Sequence, residues 1–116
     1  MKWIEDTNPN DFWVGTLPRH KWVRKRDHLP PLGMTTGQSD PLCRVKLFLP
    51  GSKRVWYLVE YDAETRLAYV LLKDPVSYLT RVSLERLADT GLDIQRDVLF
   101  SPQPLSHIWA DRHVTA

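Results

Sequence analysis

The stretch CRVKLFLPGSKRVWYLVEYDAETRLAYVLLK (43–73) decides the fold. In its first block, CRVKLFL (43–49), Cys43, Val45, Leu47 and Leu49 fall on one side and Arg44 and Lys46 on the other. That two-residue period is the mark of a strand with one face covered. PGSKR (50–54) supplies a bend, because Pro and Gly favour turn backbone. VWYLVEYD (55–62) is dense in β-branched and aromatic residues, which suit a pleated surface. AETR (63–66) is a second short turn before a third strand, LAYVLLK (67–73). Connections this short join antiparallel neighbours, since a parallel crossover needs a dozen residues or more.

Working outward, Asp74-Pro75 interrupts the pattern and VSYLTRV (76–82) reads as a fourth strand. Ser83 then caps a helix through Leu84, Leu87 and Ala88, with Glu85 in the first turn and Gly91 at the end. RDVLF (96–100) reads as a last strand, and HIWADRHVTA (107–116) as a short helix or tail. The expected fold class is therefore α+β. It is a small, mostly antiparallel sheet of about five strands with one main helix, a single domain over 28–116.

Residues 1–27 read differently, as an N-terminal arm both basic and aromatic. Pro9, Gly15 and Pro18 punctuate the segment, and it shows no sustained helical or alternating period. Trp3, Trp13 and Trp22 lie in it, three of the five tryptophans in the chain. Disordered tails are poor in aromatics, so the arm is expected to lie against its own sheet or a partner.

The charge is localised. Residues 1–18 carry Lys2 against Glu5, Asp6 and Asp11, a net of −2. RHKWVRKR (19–26) carries Arg19, Lys21, Arg24, Lys25 and Arg26 with no acid, a net of +5. Everything from Asp27 onward sums to −1, so the basic character is one patch on an almost neutral body. Pro30-Pro31 then fixes φ at two successive residues, and the chain is expected to enter the domain extended.

The totals bound the class. A chain of 116 residues suits one domain, and its 42% apolar and 26% charged shares are those of a globular protein. No apolar run approaches the ~20 residues of a membrane span. Glu5, Asp6 and Asn8 follow Met1–Ile4 directly, which does not fit a signal peptide. Cys43 is the one cysteine, which excludes an internal disulfide and an all-cysteine zinc site. A cytoplasmic location is the expectation that follows.

LPPLGMTTGQSDP (29–41) resembles an uncharacterised family of small proteins carried on bacterial plasmids and integrative mobile elements. VKLFLPGSKRVWYLVEYD (45–62), VSLERL (82–87), GLDIQRD (91–97) and FSPQPLS (100–106) are similar to its later blocks, so the resemblance spans about Leu29 to Ile108. The compact LLKDPVSYLTR (71–81) departs from the family pattern. The resemblance implies a setting, mobile DNA in bacteria, and no mechanism.

Each candidate for chemistry has an ordinary structural explanation. Cys43 with His28 or His107 could form a nucleophile and base, but Cys43 lies on the apolar side of a strand, where a thiol acts as a small hydrophobe. His20, His28, His107 and His113 lack zinc-binding spacing. In an unbroken strand Glu60, Asp62 and Glu64 would share a face and could hold a hard cation, although Asp62 also suits a turn. Arg96-Asp97 offers either a functional surface or a salt bridge fixing the last strand. The basic run offers Trp22 to stack on a base and five cations for phosphates, a salt slope of about −4; its ordinary explanation is a solvated stretch with Trp22 packed against the sheet.

The expected function is a non-enzymatic binding or accessory protein that contacts nucleic acid or a nucleoprotein complex. Arg19, Lys21, Trp22, Arg24, Lys25, Arg26 and Arg96 are the expected contact residues, and no cofactor or metal is expected. The alternative is a protein-directed inhibitor of a host defence system, with Trp and Arg side chains as interface anchors. A hydrolase built on the carboxylates or histidines is the third and weakest reading.

Overall fold

The two turns inside 43–73 behave as their residues dictate. Gly51 takes φ +82°, a left-handed conformation that glycine adopts without steric cost, and Ser52 N–H donates to the Leu49 carbonyl at 3.1 Å. The Asp62 carboxylate accepts Glu64 N–H at 3.1 Å and the Thr65 hydroxyl at 2.6 Å, closing the second turn. The computed structural model describes residues 11–14 and 20–114, with side chains over 11–12 and 21–109.

Around these turns lies a five-stranded antiparallel sheet. Strands β4 (Val45–Phe48), β5 (Val55–Tyr61), β6 (Leu67–Lys73) and β7 (Ser77–Ser83) follow in order, and β8 (Gln95–Arg96) pairs on the far side of β4. Two small antiparallel ladders flank it. Strands β1 (Phe12–Val14) and β2 (His20–Val23) form a hairpin, and β3 (Leu42–Cys43) pairs with β9 (Gln103–Pro104). Helix α1 (Leu84–Asp89) follows β7 directly, its Ser83 hydroxyl accepting Arg86 N–H at 3.2 Å, and Gly91 beyond it takes φ +77°. Helix α2 (Leu105–Val114) closes the chain. Among the described residues the expected single main helix is thus one of two α-helices, and the shorter.

Both faces of the sheet are covered. On the first, Val45, Leu47, Trp56, Leu58, Tyr61, Ala68 and Val70 pack with Phe12, Trp22, Val23, Leu84 and Ile94. On the second, Cys43, Val59 and Leu71 pack with Leu105 and Ile108 of α2, with Tyr57, Tyr69 and Leu79 alongside. Cys43 therefore does not share a side with Val45 and Leu47. Its strand ends before Arg44, whose N–H turns to the Leu58 carbonyl at 2.9 Å before β4 begins.

Two other expectations are corrected. RDVLF is not a strand: ladder pairing stops at Arg96, and Asp97 accepts Leu99 N–H at 3.0 Å in a turn that competes with extended backbone. Val98 and Leu99 are consequently left 76% and 89% exposed. Glu60, Asp62 and Glu64 do not share a face either: β5 ends at Tyr61, and Asp62 and Glu64 belong to the turn that follows. Leu58 opposes Val70 but Glu60 opposes Tyr69, so β5 holds one extra residue at Val59. This bulge turns Glu60 onto the second face while Tyr61 packs on the first.

The described part of 1–27 is built into the body. Phe12, Trp22 and Val23 belong to the first-face core, and the Phe12 and Trp22 rings lie 5.7 Å apart. In packing terms residues 20–27 are part of the fold, not an appendage to it.

Candidate binding groove

The basic run is engaged from within by two aspartates. Asp11, itself buried, accepts Lys21 Nζ and Lys25 N–H, both at 2.6 Å. Asp27 accepts Arg24 N–H at 2.7 Å and both terminal nitrogens of Arg96 at 2.7 Å. Trp22 is 2% exposed and donates its indole N–H to the Ile94 carbonyl at 3.2 Å. A ring so placed cannot stack on a base, which corrects that reading of Trp22. Arg96 is corrected likewise: its side chain is 8% exposed and forms an internal ion pair. Lys25 and Arg26 are exposed, in a 3-10 turn over Lys25–Asp27, while Arg19 lies outside the described residues. Of the six expected contact residues that are described, Trp22 and Arg96 are buried, Lys21 and Arg24 are half-buried and paired with aspartates, and Lys25 and Arg26 project.

Nor do the other candidates converge. Cys43 is fully buried, and burial, with the Asp40 charge adding to it, pushes its thiol up to about 12. A thiol so held stays protonated at neutral pH and is a poor nucleophile. Asp97 lies 3.5 Å from Lys46 in an ion pair. Among the described residues, no three His, Cys, Asp or Glu side chains gather about a common point.

The segment 29–41 borders two concavities of similar volume, one beside Arg24, Lys25 and His28 and one over the end of β5. It leaves the domain edge at Pro30, whose carbonyl accepts Tyr61 N–H at 2.9 Å. It then turns through Gly33, at φ +88°, over the end of β5. There Glu60 receives Gly33 N–H and Thr35 N–H, each at 2.8 Å, and the Thr35 hydroxyl as well. Burial pushes the Glu60 carboxyl up, but the Thr35 and Gly33 donors and the Arg81 charge outweigh it and hold it below its ordinary range. At its far end the segment is tied to α2. The Pro41 carbonyl accepts Leu105 N–H at 2.9 Å, and Asp40 accepts Ser106 N–H at 2.8 Å and its hydroxyl at 2.7 Å.

Between this strap and the sheet lies a groove of about 380 Å³. Its floor is Val59, Tyr69 and Leu79, with Leu105 and Pro41 at one side and Thr36, Gln38 and Ser39 on the strap. Glu60, Tyr69 and Arg81 are direct cross-strand neighbours on β5, β6 and β7, so they make one row across it. The acid of that row is consumed by its own wall. What the groove presents is the exposed Arg81 guanidinium, a phenol and small polar side chains above an apolar floor. Its one carboxylate, on Glu60, already accepts three donors.

Sequence reasoning missed Glu60 as a strap anchor, because only the bulge brings it to this face. The stretch LPPLGMTTGQSDP (29–41) was visible as a distinct segment, and it is the strap itself. No described helix is long and apolar enough to cross a membrane. Comparison with protein families, curated proteins and solved structures finds no match to this chain.

Proposed function

We propose that this protein is a non-enzymatic, protein-directed binding module whose recognition surface is the strap groove. It takes an extended segment of a partner protein, seating an apolar side chain over Tyr69 and Leu79 and an acidic one against Arg81. The observation that supports this reading is the row Glu60–Tyr69–Arg81, in which the carboxylate is satisfied internally and the guanidinium is left exposed. Arg pairs with carboxylates through a planar fork, which gives orientation as well as attraction. A setting on bacterial mobile elements rests on the sequence resemblance alone, and with it the inhibitor of a host defence protein is the natural form of such a module.

Selection from a displayed library of random peptides tests it. The wild-type protein should enrich peptides with an acid beside an aliphatic residue, and Arg81→Glu should abolish that enrichment. Absence of enrichment, or equal enrichment by Arg81→Glu, overturns the groove reading. Nucleic-acid contact is the second reading, favoured by the exposed pair Lys25 and Arg26. With two phosphates held, log K should fall with log salt at a slope of about −2. A slope of that size, lost in Lys25→Ala with Arg26→Ala, would put nucleic acid first.

A further inference from the structure

The two ends of the five-stranded sheet differ. At one end β8 has two residues, and Arg96 in it is turned inward to Asp27. At the other, β7 pairs with β6 along all seven positions from Ser77 to Ser83, and no described strand pairs with its outer side. A free edge exposes a row of N–H and C=O groups, and edges are commonly blunted by Pro, Lys, a bulge or short length. Strand β7 has no Pro, Lys or bulge: it reads SYLTRVS over seven residues, its register is unbroken, and Arg81 is its one charge. Tyr78 is 46% exposed, and Val76 just before the strand is exposed as well.

We propose that β7 pairs antiparallel with β7 of a second copy of this chain, joining two sheets into one of ten strands. A two-fold axis perpendicular to the sheet keeps like faces together, so the register must be centred on a residue. The centre of Ser77–Ser83 is Thr80. In that register Thr80 meets Thr80 and Tyr78 meets Val82 on the first face, while Leu79 meets Arg81 and Ser77 meets Ser83 on the second. Thr–Thr and aromatic–β-branched pairs are favourable cross-strand neighbours, and like charges are not directly opposed, the two Arg81 side chains lying on a diagonal. Centring on Arg81 would set guanidinium against guanidinium, and centring on Leu79 would leave Val82 and Ser83 unpaired. The strand is thus complementary to itself over its full length. Leu79 and Arg81 also line the strap groove, so the pairing brings two grooves together across the axis and makes the partner's Leu79 part of the outer rim. The pairing does not depend on what the groove binds.

Cross-linking and sedimentation test the register. Directly opposed residues have Cα atoms ~4.5–5.5 Å apart, within disulfide range. Thr80→Cys should form a disulfide-linked dimer on mild oxidation. Tyr78→Cys alone should not, because its own copy lies four residues along the strand, ~13 Å away. Tyr78→Cys mixed with Val82→Cys should cross-link again. The native Cys43 is fully buried and does not compete. In sedimentation the wild-type protein should reach about twice the 13.6 kDa of one chain. Thr80→Lys and Thr80→Glu should each be monomeric, and their equimolar mixture dimeric. Failure of Thr80→Cys to cross-link faster than Tyr78→Cys overturns the proposal, whether or not the charged variants fold. So does a wild-type monomer up to about 1 mM, the weak end of specific association, or a dimer that persists in both charged variants.

Discussion

Arg96 and Asp27, 69 residues apart in the chain, form a forked ion pair: Nη1 donates to Oδ2 and Nη2 to Oδ1, both at 2.7 Å. Arg96 Nη1 also donates to the Trp22 carbonyl at 3.0 Å, so one guanidinium ties β8 to both β2 and the 3-10 turn. Both side chains are almost wholly buried. Removing one partner strands the other charge in a low-dielectric site, which costs about 3–5 kcal/mol. Arg96→Ala and Asp27→Ala should each lower stability to urea by that amount. Replacing the pair by Met and Leu should cost much less than the sum. A loss under about 1 kcal/mol for either single variant would show that water reaches the pair. Peptide binding per folded molecule should stay unchanged, since neither residue lines the strap groove.

The pH dependence follows from Asp27 and Glu60. Burial pushes the Asp27 carboxyl up, but the Arg96 hydrogen bonds, the Arg24 N–H and the two guanidinium charges outweigh it, leaving it below its ordinary value. Glu60 is lowered in the same sense by Thr35, Gly33 and Arg81. Groups lowered on folding stabilise above their unfolded values, near pH 4, and lose that contribution as pH falls through the folded values. At the alkaline end Cys43 acts oppositely. Its thiol stands at about 12 when folded against an ordinary 9.0, so the unfolded state ionises first and stability falls across that interval. Urea midpoints should therefore be flat near neutrality, fall below about pH 4 and fall again above about pH 9. Asp27→Asn should shallow the acid limb while leaving the alkaline one unchanged.

Trp22 separates an appended arm from an integral one. Its indole is enclosed by Phe12, Ile94 and the first face of the sheet and is bonded to the Ile94 carbonyl. Trp22→Ala should cost about 3–5 kcal/mol, the range for emptying a large aromatic site in a core. Deleting residues 1–27 should then unfold the domain, not merely remove a surface. A truncated protein with native circular dichroism and an unchanged melting temperature would return the segment to the status of an arm.

The strands from 45 to 73 were legible because alternation and turn chemistry are local, and Ser83 and Gly91 marked the first helix for the same reason. What escaped was set by distance or by a single inserted residue. Nothing near Arg96 in the sequence points to Asp27, and nothing near Trp22 points to Ile94, so a basic-aromatic run looked like a surface when its partners lay elsewhere. Lys21, Arg24 and Arg96 show the general difficulty: a cation's availability depends on an acid that folding brings to it, here Asp11 or Asp27. The bulge at Val59 is one extra residue in a seven-residue strand, yet it moves Glu60 from one face to the other and thereby creates the groove. A period-two pattern cannot announce its own interruption when Val59, Glu60 and Tyr61 all suit a strand.

Glu60 should be the residue on which the strap depends. Its two oxygens collect Gly33 N–H, Thr35 N–H and the Thr35 hydroxyl, and it is itself buried. Glu60→Ala leaves these donors without an acceptor, at about 1–3 kcal/mol for each that water cannot reach. The strap is short and exposed on its outer side, so it should open locally before the sheet does. Amide exchange at Gly33 and Thr35 should therefore accelerate in Glu60→Ala while the β5 and β6 amides keep their protection. Glu60→Gln keeps one acceptor oxygen and loses the charge, so its exchange should lie between the two. Arg81→Ala should leave these amides nearly as protected as in the wild type, because Arg81 acts on Glu60 through its charge and not through the strap. If Gly33 and Thr35 exchange at the same rate in Glu60→Ala as in the wild type, the strap is held by Pro30, Pro41 and Asp40 alone, and the groove's shape does not depend on Glu60.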